Sequence, residues 1–259
     1  MPTELPEAFL TLPIAHRAYH DRAAGHPENS RAAVRAAIAA GYAIEIDIQP
    51  SADGVPMVFH DYDLRRLTGV AGRIRGRTAT DLEALKLLTG NEGIPTLAEI
   101  LAIVAGQVPL LIEIKDQDGA MGPDVGDLER SVAAVLAGYQ GPLALMSFNP
   151  HSVAALANAA PHLPRGLTTS AYAPQDWPLL PSTVRDHLRQ IPDLHSTGSC
   201  FISHEAADLD RPLVARLRTQ GTAILCWTIR SAEAEAKARQ VAQNITFEGY
   251  PAAFDPWPR

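Results

Sequence analysis

Apolar residues fall in short runs bounded by Gly, Pro and acidic turns, and these runs alternate with longer stretches of helical spacing. The runs predict strands at 12–16, 43–48, 56–59, 109–114, 143–147, 165–169, 199–203, 223–228 and 244–247. Helical spacing predicts helices near 32–40, 96–105, 127–138, 150–160, 181–190, 209–219 and 231–242. Asn29 or Ser30 is the candidate cap of the first helix and Gly41 its stop. This rhythm predicts a parallel α/β sheet. A dinucleotide-binding sheet is disfavoured, because His16-Arg17-Ala18-Tyr19-His20 after the first strand is no Gly-rich fingerprint. A (β/α)8 barrel needs one strand fewer than the runs supply. The surplus is the hairpin turned at Asp53-Gly54, opening an excursion over about 49–95 within a single domain 1–259. Arg65, Arg66, Arg73, Arg75 and Arg77 predict that this excursion is rich in solvent.

Charges inside strand runs change the picture. In Ile44-Glu45-Ile46-Asp47-Ile48 the side-chain period of two puts Glu45 and Asp47 on one face, as it does Glu113 and Lys115 in Ile112-Glu113-Ile114-Lys115. Neighbouring carboxylates repel unless a cation sits between them, and a divalent ion with oxygen ligands is the simplest such cation. The competing reading is an edge strand with a solvated acidic face. His16-Arg17 and His60-Asp61 close two further strand runs. Barrel chemistry collects at the C-terminal ends of strands. His16, Glu45, Asp47, Glu113, Lys115, Ser147, His204 and Trp227 all fall at such ends. Together these residues supply a metal site, an acid, a base and cations for phosphate oxygens, the requirements of phosphodiester hydrolysis.

Composition narrows the classes. With 259 residues, 46% apolar, the chain can bury a large core. Net charge is -7 with no basic run, which argues against nucleic acid as partner. Cys200 and Cys226 lie in apolar runs and read as buried free thiols. The acidic, Pro-containing start lacks the features of a signal peptide, and no apolar run spans a bilayer. The expected protein is soluble and cytoplasmic, without stable membrane insertion. Its oligomeric state is not legible.

His16-Arg17, Pro27-Glu28-Asn29-Ser30, Glu45-x-Asp47, Asp53-Gly54, His60-Asp61, Glu113-x-Lys115, Ser147-Phe148 and Trp227-Thr228 follow the order and spacing of glycerophosphodiester phosphodiesterases. The chain resembles that family over nearly its whole length. The resemblance implies a TIM-like (β/α)8 barrel with a small insertion early in the chain. It implies one divalent cation, Mg2+ or Ca2+, on Glu45, Asp47 and Glu113, with acid–base chemistry at His16 and His60. Arg17 and Lys115 would hold the phosphate, and glycerol 3-phosphate and an alcohol would be released, as in lipid and glycerol metabolism.

Each assignment has a rival. Lys115 also reads as the salt-bridge partner of Glu113. Phe148, Trp227 and His204 are proposed as the wall receiving the substrate's alcohol, against readings as core residues and a turn cap. His60 is assigned the proton for the leaving alcohol. On the same scaffold, phospholipase D-like or lysolipid enzymes that form a cyclic phosphate are the alternative, and a non-catalytic barrel binding a phosphate ester is another. The chain departs from the family in four places: Ala18 where a Gly is usual, His20 and His26 in a lengthened 19–26 stretch, Thr246-Phe247-Glu248-Gly249-Tyr250-Pro251 in place of Thr-Asp-x-Pro, and Ile202-Ser203-His204 with a histidine where none is fixed. Alanine at 18 predicts backbone that avoids positive φ or carries strain.

Overall fold

A computed structural model describes residues 3–117 and 119–254. A short helix α1 (Ala8–Thr11) precedes β1 (Ile14–Ala15), α2 (Arg31–Ala40), β2 (Ala43–Pro50) and β3 (Pro56–Val58). Helices α3 (Arg65–Thr68), α4 (Ala79–Ala84) and α5 (Leu97–Val104) lead to β4 (Leu110–Ile114). Then follow α6 (Asp127–Leu136), β5 (Leu143–Ser147), α7 (Pro150–Ala159), β6 (Arg165–Thr169) and α8 (Ser182–Arg189). The barrel ends with β7 (Phe201–Glu205), α9 (Pro212–Thr219), β8 (Ala223–Ile229), α10 (Ala232–Ala238) and β9 (Asn244–Phe247).

Eight of these strands run parallel and close on themselves, because β1 pairs with both β2 and β9. The structure is therefore the TIM barrel that the alternation implied. The surplus strand is the one expected: β3 pairs antiparallel with β2 at the barrel edge. Among the described residues no helix is long and apolar enough to cross a membrane.

Strand alternation builds two apolar layers. Ile44, Ile46 and Ile48 face the helices in the main core, where each fully buried side chain contributes about 1.5–3 kcal/mol. The opposite faces of the strands point into the barrel. There Phe9, Ile14, Ala43, Leu111, Ala144, Phe201 and Leu225 close its N-terminal end. Helix α2 is bounded as anticipated, with Ser30 accepting from the Ala33 N–H and Gly41 at φ 78. The excursion differs from expectation. It carries an apolar core of its own, including Met57, Phe59, Leu64, Leu82 and Ile94, while Arg65, Arg66, Arg73 and Arg75 are exposed around it. Both thiols are free, and burial pushes Cys226 up to about 12.

Inside the barrel, Gly166 admits Phe201. A Cβ at Gly166 would lie 2.5 Å from Cε2 of that ring and 2.6 Å from its own carbonyl oxygen. Gly166→Ala is expected to destabilise the protein by about 1–3 kcal/mol, read as a lower urea midpoint. An unchanged midpoint would mean that the Phe201 ring yields without cost.

Candidate active site

The C-terminal ends of β1, β2 and β4 converge on one cavity of about 60 Å³, with room for several waters. His16, Arg17, Glu45, Asp47, His60, Glu113, Lys115, Phe148 and Trp227 line it. Glu45 and Asp47 are each 2% exposed and Glu113 6%, which excludes a solvated acidic edge. Their ligand oxygens all lie within 4.8 Å of one another. Burial and the charges of Asp47 and Glu113 push Glu45 well above the usual carboxylate range. Burial also opposes ionisation of Asp47, yet Lys115, His60, Arg17 and His16 overcome it and hold Asp47 far below that range. Three hard oxygen donors at this spacing fit a hard divalent cation, and neither cysteine lines the cavity.

Cations face the carboxylates from two sides. Lys115 Nζ lies 2.6 Å from Glu113 Oε1 and 3.3 Å from Asp47 Oδ1, so its role as partner of Glu113 is real in the structure. Burial disfavours its charge, but Glu113 and Asp47 more than restore it. Arg17 donates its backbone N–H to Glu45 Oε2 at 2.8 Å and a guanidinium N–H to Glu28 Oε1 at 2.7 Å. Its buried Nε is 3.6 Å from Asp47 Oδ2 and, among the described residues, has no hydrogen-bond acceptor. The turn that presents Arg17 takes the strained route, with Arg17 at φ 52 and Ala18 at φ 65. Left-handed backbone costs roughly 1–2 kcal/mol per non-glycine residue. The Ala18 N–H to Glu45 O and Asn29 N–H to Arg17 O bonds, 2.9 and 2.8 Å, hold it in place.

Both imidazoles are backed by carboxylates. His16 Nδ1 lies 2.6 Å from Glu248 Oε2, and His60 Nδ1 lies 2.7 Å from Asp61 Oδ1. An ionised carboxylate only accepts, so each Nδ1 carries the proton and each Nε2 is the basic nitrogen. Burial nevertheless lowers the pKa of His16. The hairpin brings His60 into place, since Phe59 donates to the Asp47 carbonyl at 2.9 Å and Gln49 Nε2 to the His60 carbonyl at 3.1 Å.

Several participants escaped the sequence reading. Asn29, weighed above as a cap, instead clamps Asp47, giving Nδ2 to Oδ2 at 2.9 Å and accepting the Asp47 N–H at 3.2 Å. Arg66 spans Glu28 and Asp61 with four hydrogen bonds of 2.6–2.9 Å, tying the backing of His60 to that of Arg17. Thr168 and Thr246 line the cavity, and among the described residues their buried hydroxyls have no hydrogen-bond partner. Glu248 lay hidden in the altered C-terminal motif.

His204 must be corrected. It is fully buried and absent from the cavity wall, with Nδ1 2.8 Å from Thr169 Oγ1 and Nε2 3.3 Å from Asp208. Residues 201, 203 and 205 of β7 face inward and His204 faces the helices. Phe148 and Trp227 do reach the wall, their rings 5.5 Å apart and edge-to-face. Trp227 Nε1 donates to the Ser203 carbonyl at 3.0 Å.

The fold and this site define a class, the barrel enzymes that cleave phosphodiesters. The sequence profile of the glycerophosphoryl diester phosphodiesterase family matches residues 16–245, and the chain belongs to that family. A glycerophosphodiester phosphodiesterase of Caldanaerobacter subterraneus is 29% identical over 176 residues, covering 64% of this chain and 70% of that one. The structure of an Oleispira antarctica phosphodiesterase in complex with its product sn-glycerol-3-phosphate superposes with a TM-score of 0.76. It is 26% identical and covers 94% of this chain and 96% of that one. A glycerophosphodiester phosphodiesterase from Parabacteroides distasonis shares the fold, with a TM-score of 0.73, 21% identity and coverage of 91% and 92%.

Mg2+ or Ca2+ in millimolar excess is expected to raise the thermal unfolding midpoint of chelator-treated protein by a few degrees. Glu45→Gln is expected to raise the midpoint of the chelated protein and to erase the metal-induced rise. A variant that is less stable yet keeps the full metal response would contradict the site.

Proposed function

We propose that the protein hydrolyses glycerophosphodiesters to glycerol 3-phosphate and an alcohol, using one Mg2+ or Ca2+ held by Glu45, Asp47 and Glu113, in cytoplasmic lipid and glycerol metabolism. The observation that carries this reading is the convergence on one cavity of three carboxylates, two carboxylate-backed histidines, Arg17 and Lys115. The cavity charges also suit the substrate. Three carboxylates against Arg17 and Lys115 leave one negative charge, and a divalent ion with a singly charged phosphodiester brings the set to neutrality.

When bound, the ion neutralises the carboxylates and polarises a phosphoryl oxygen. The free Nε donor of Arg17 and the Lys115 ammonium hold non-bridging oxygens, Arg as a planar fork and Lys as a point charge. They stabilise the charge that grows there as the bond to the leaving group breaks. His16 Nε2 takes the proton of the attacking oxygen, and Glu248 steadies the imidazolium that results. His60, protonated at Nε2 and paired with Asp61, delivers its proton to the departing alkoxide. Phe148 and Trp227 complete the lining of the cavity.

His16→Ala and His60→Ala should each lower turnover of a glycerophosphodiester by about 100-fold or more. A nitrophenyl phosphodiester separates the two roles, because its leaving group needs no proton. On that substrate His60→Ala should recover most of its rate while His16→Ala stays impaired. Near-normal turnover of either variant on the alkyl diester, or full activity in excess chelator, would overturn the proposal.

A further inference from the structure

The connection from β4 to α6 leaves the barrel at Lys115, and its backbone is gripped by side chains. Three consecutive carbonyls accept side-chain donors there. The Lys115 carbonyl accepts from Nε2 of Gln117, the Asp116 carbonyl from the Tyr62 hydroxyl at 2.6 Å, and the Gln117 carbonyl from Arg75 Nη1 at 3.2 Å. The Asp116 carboxylate is buried and accepts from Asn149 Nδ2 at 2.8 Å and from the Met121 N–H at 3.2 Å.

Two of those donors belong to the excursion, and one small antiparallel ladder presents both. The Leu64 N–H donates to the Gly72 carbonyl at 2.9 Å and the Ile74 N–H to the Tyr62 carbonyl at 3.0 Å. Leu64 and Ile74 are sunk in the excursion's core, at 0% and 1% exposure, so the ladder has a rigid base. Tyr62 is 42% exposed and Arg75 is exposed as well. A ring so open to water gains little from burial, and the hydroxyl is what the tyrosine adds. Tyr62 stands two residues past His60 and reaches the residue next to Lys115. It therefore spans the proton donor and the phosphate-holding cation.

Building on the phosphodiesterase reading, we infer that Tyr62 and Arg75 are positioning residues, a clasp between the excursion and the β4–α6 connection that fixes where Lys115 stands against the phosphate. Neither residue lines the cavity, so both act through the backbone that carries Lys115. The Lys115 ammonium lies 2.6 Å from Glu113 and 3.3 Å from Asp47. With its backbone loosened, it settles further onto those carboxylates and away from the oxygens where charge grows. The loss then falls on the transition state more than on substrate binding, because small misplacements of a stabilising charge are costly there.

The test is a double-mutant cycle on the metal-loaded enzyme with a nitrophenyl phosphodiester, whose cleavage needs Lys115 but no proton from His60. Tyr62→Phe removes only the hydroxyl and is expected to lower kcat about tenfold with KM changed by less than about twofold. Arg75→Ala, at an exposed position, is expected to lower kcat about threefold. In a Lys115→Met background neither change is expected to have a further effect. Binding of orthovanadate, a mimic of the five-coordinate transition state, reports on the same variants without turnover. It is expected to weaken about tenfold in Tyr62→Phe and to be insensitive to that change once Lys115 is Met. Losses that recur in full in the Lys115→Met background, or wild-type kcat and vanadate affinity in both single variants, overturn the clasp and leave the phosphodiesterase reading intact. A wild type that cleaves no phosphodiester overturns both.

Discussion

The structure is organised around one electrostatic constraint: three carboxylates are buried together at the mouth of a barrel. Left alone they would repel strongly, because the surrounding low dielectric strengthens like-charge repulsion as much as attraction. The chain answers with Lys115 on Glu113 and Asp47, the Arg17 guanidinium beside Asp47, the Arg17 N–H on Glu45, and Asn29 on Asp47. These partners do not complete the compensation, since Glu45 still resists ionisation. The residual imbalance, in three oxygen donors within 4.8 Å of one another, suits the site to a divalent ion. It also explains the strained turn at Arg17 and Ala18, which sends a backbone donor to Glu45 and the side chain back toward Asp47.

The early excursion is part of the same arrangement. Its hairpin hangs on β2 beside Asp47 and delivers His60, and its small core gives that hairpin rigid support. Arg66, in α3, joins Asp61 to Glu28 and so couples the orientation of His60 to that of Arg17. On the far side, Glu248 aligns His16 while being held by Arg230 and approached by His20. Each imidazole is thus fixed through a carboxylate that is itself fixed by a cation. Such support keeps catalytic side chains in one geometry.

Much of this was legible in the sequence because β periodicity is short and local. Ile44-Glu45-Ile46-Asp47-Ile48 announces its two faces within five letters, and β2 obeys them. The barrel followed from counting apolar runs, and the antiparallel surplus strand from Asp53-Gly54. His204 went wrong for a parity reason. The run around it was placed at 199–203, whereas β7 is Phe201–Glu205 with apolar residues on both faces, so nothing local told which of Ser203 and His204 looks inward. Glu248 was illegible for a different reason: it meets His16 across 232 positions, through the closure of β1 against β9. Asn29 was concealed by its neighbour, since a helix start explains Ser30 and makes no demand on the residue before it. The excursion's core was masked by five arginines in the same stretch, four of them exposed.

The most direct test of this account is a crystal structure of the protein soaked with Mn2+, with anomalous data collected at the manganese edge. A single strong peak is expected between Glu45, Asp47 and Glu113, within about 2.0–2.6 Å of an oxygen from each. Lys115 should then have shifted from Asp47 toward the phosphate position. A map with no peak among the three carboxylates, with Lys115 still bridging Glu113 and Asp47, would contradict the claim that this cluster is built around a divalent ion.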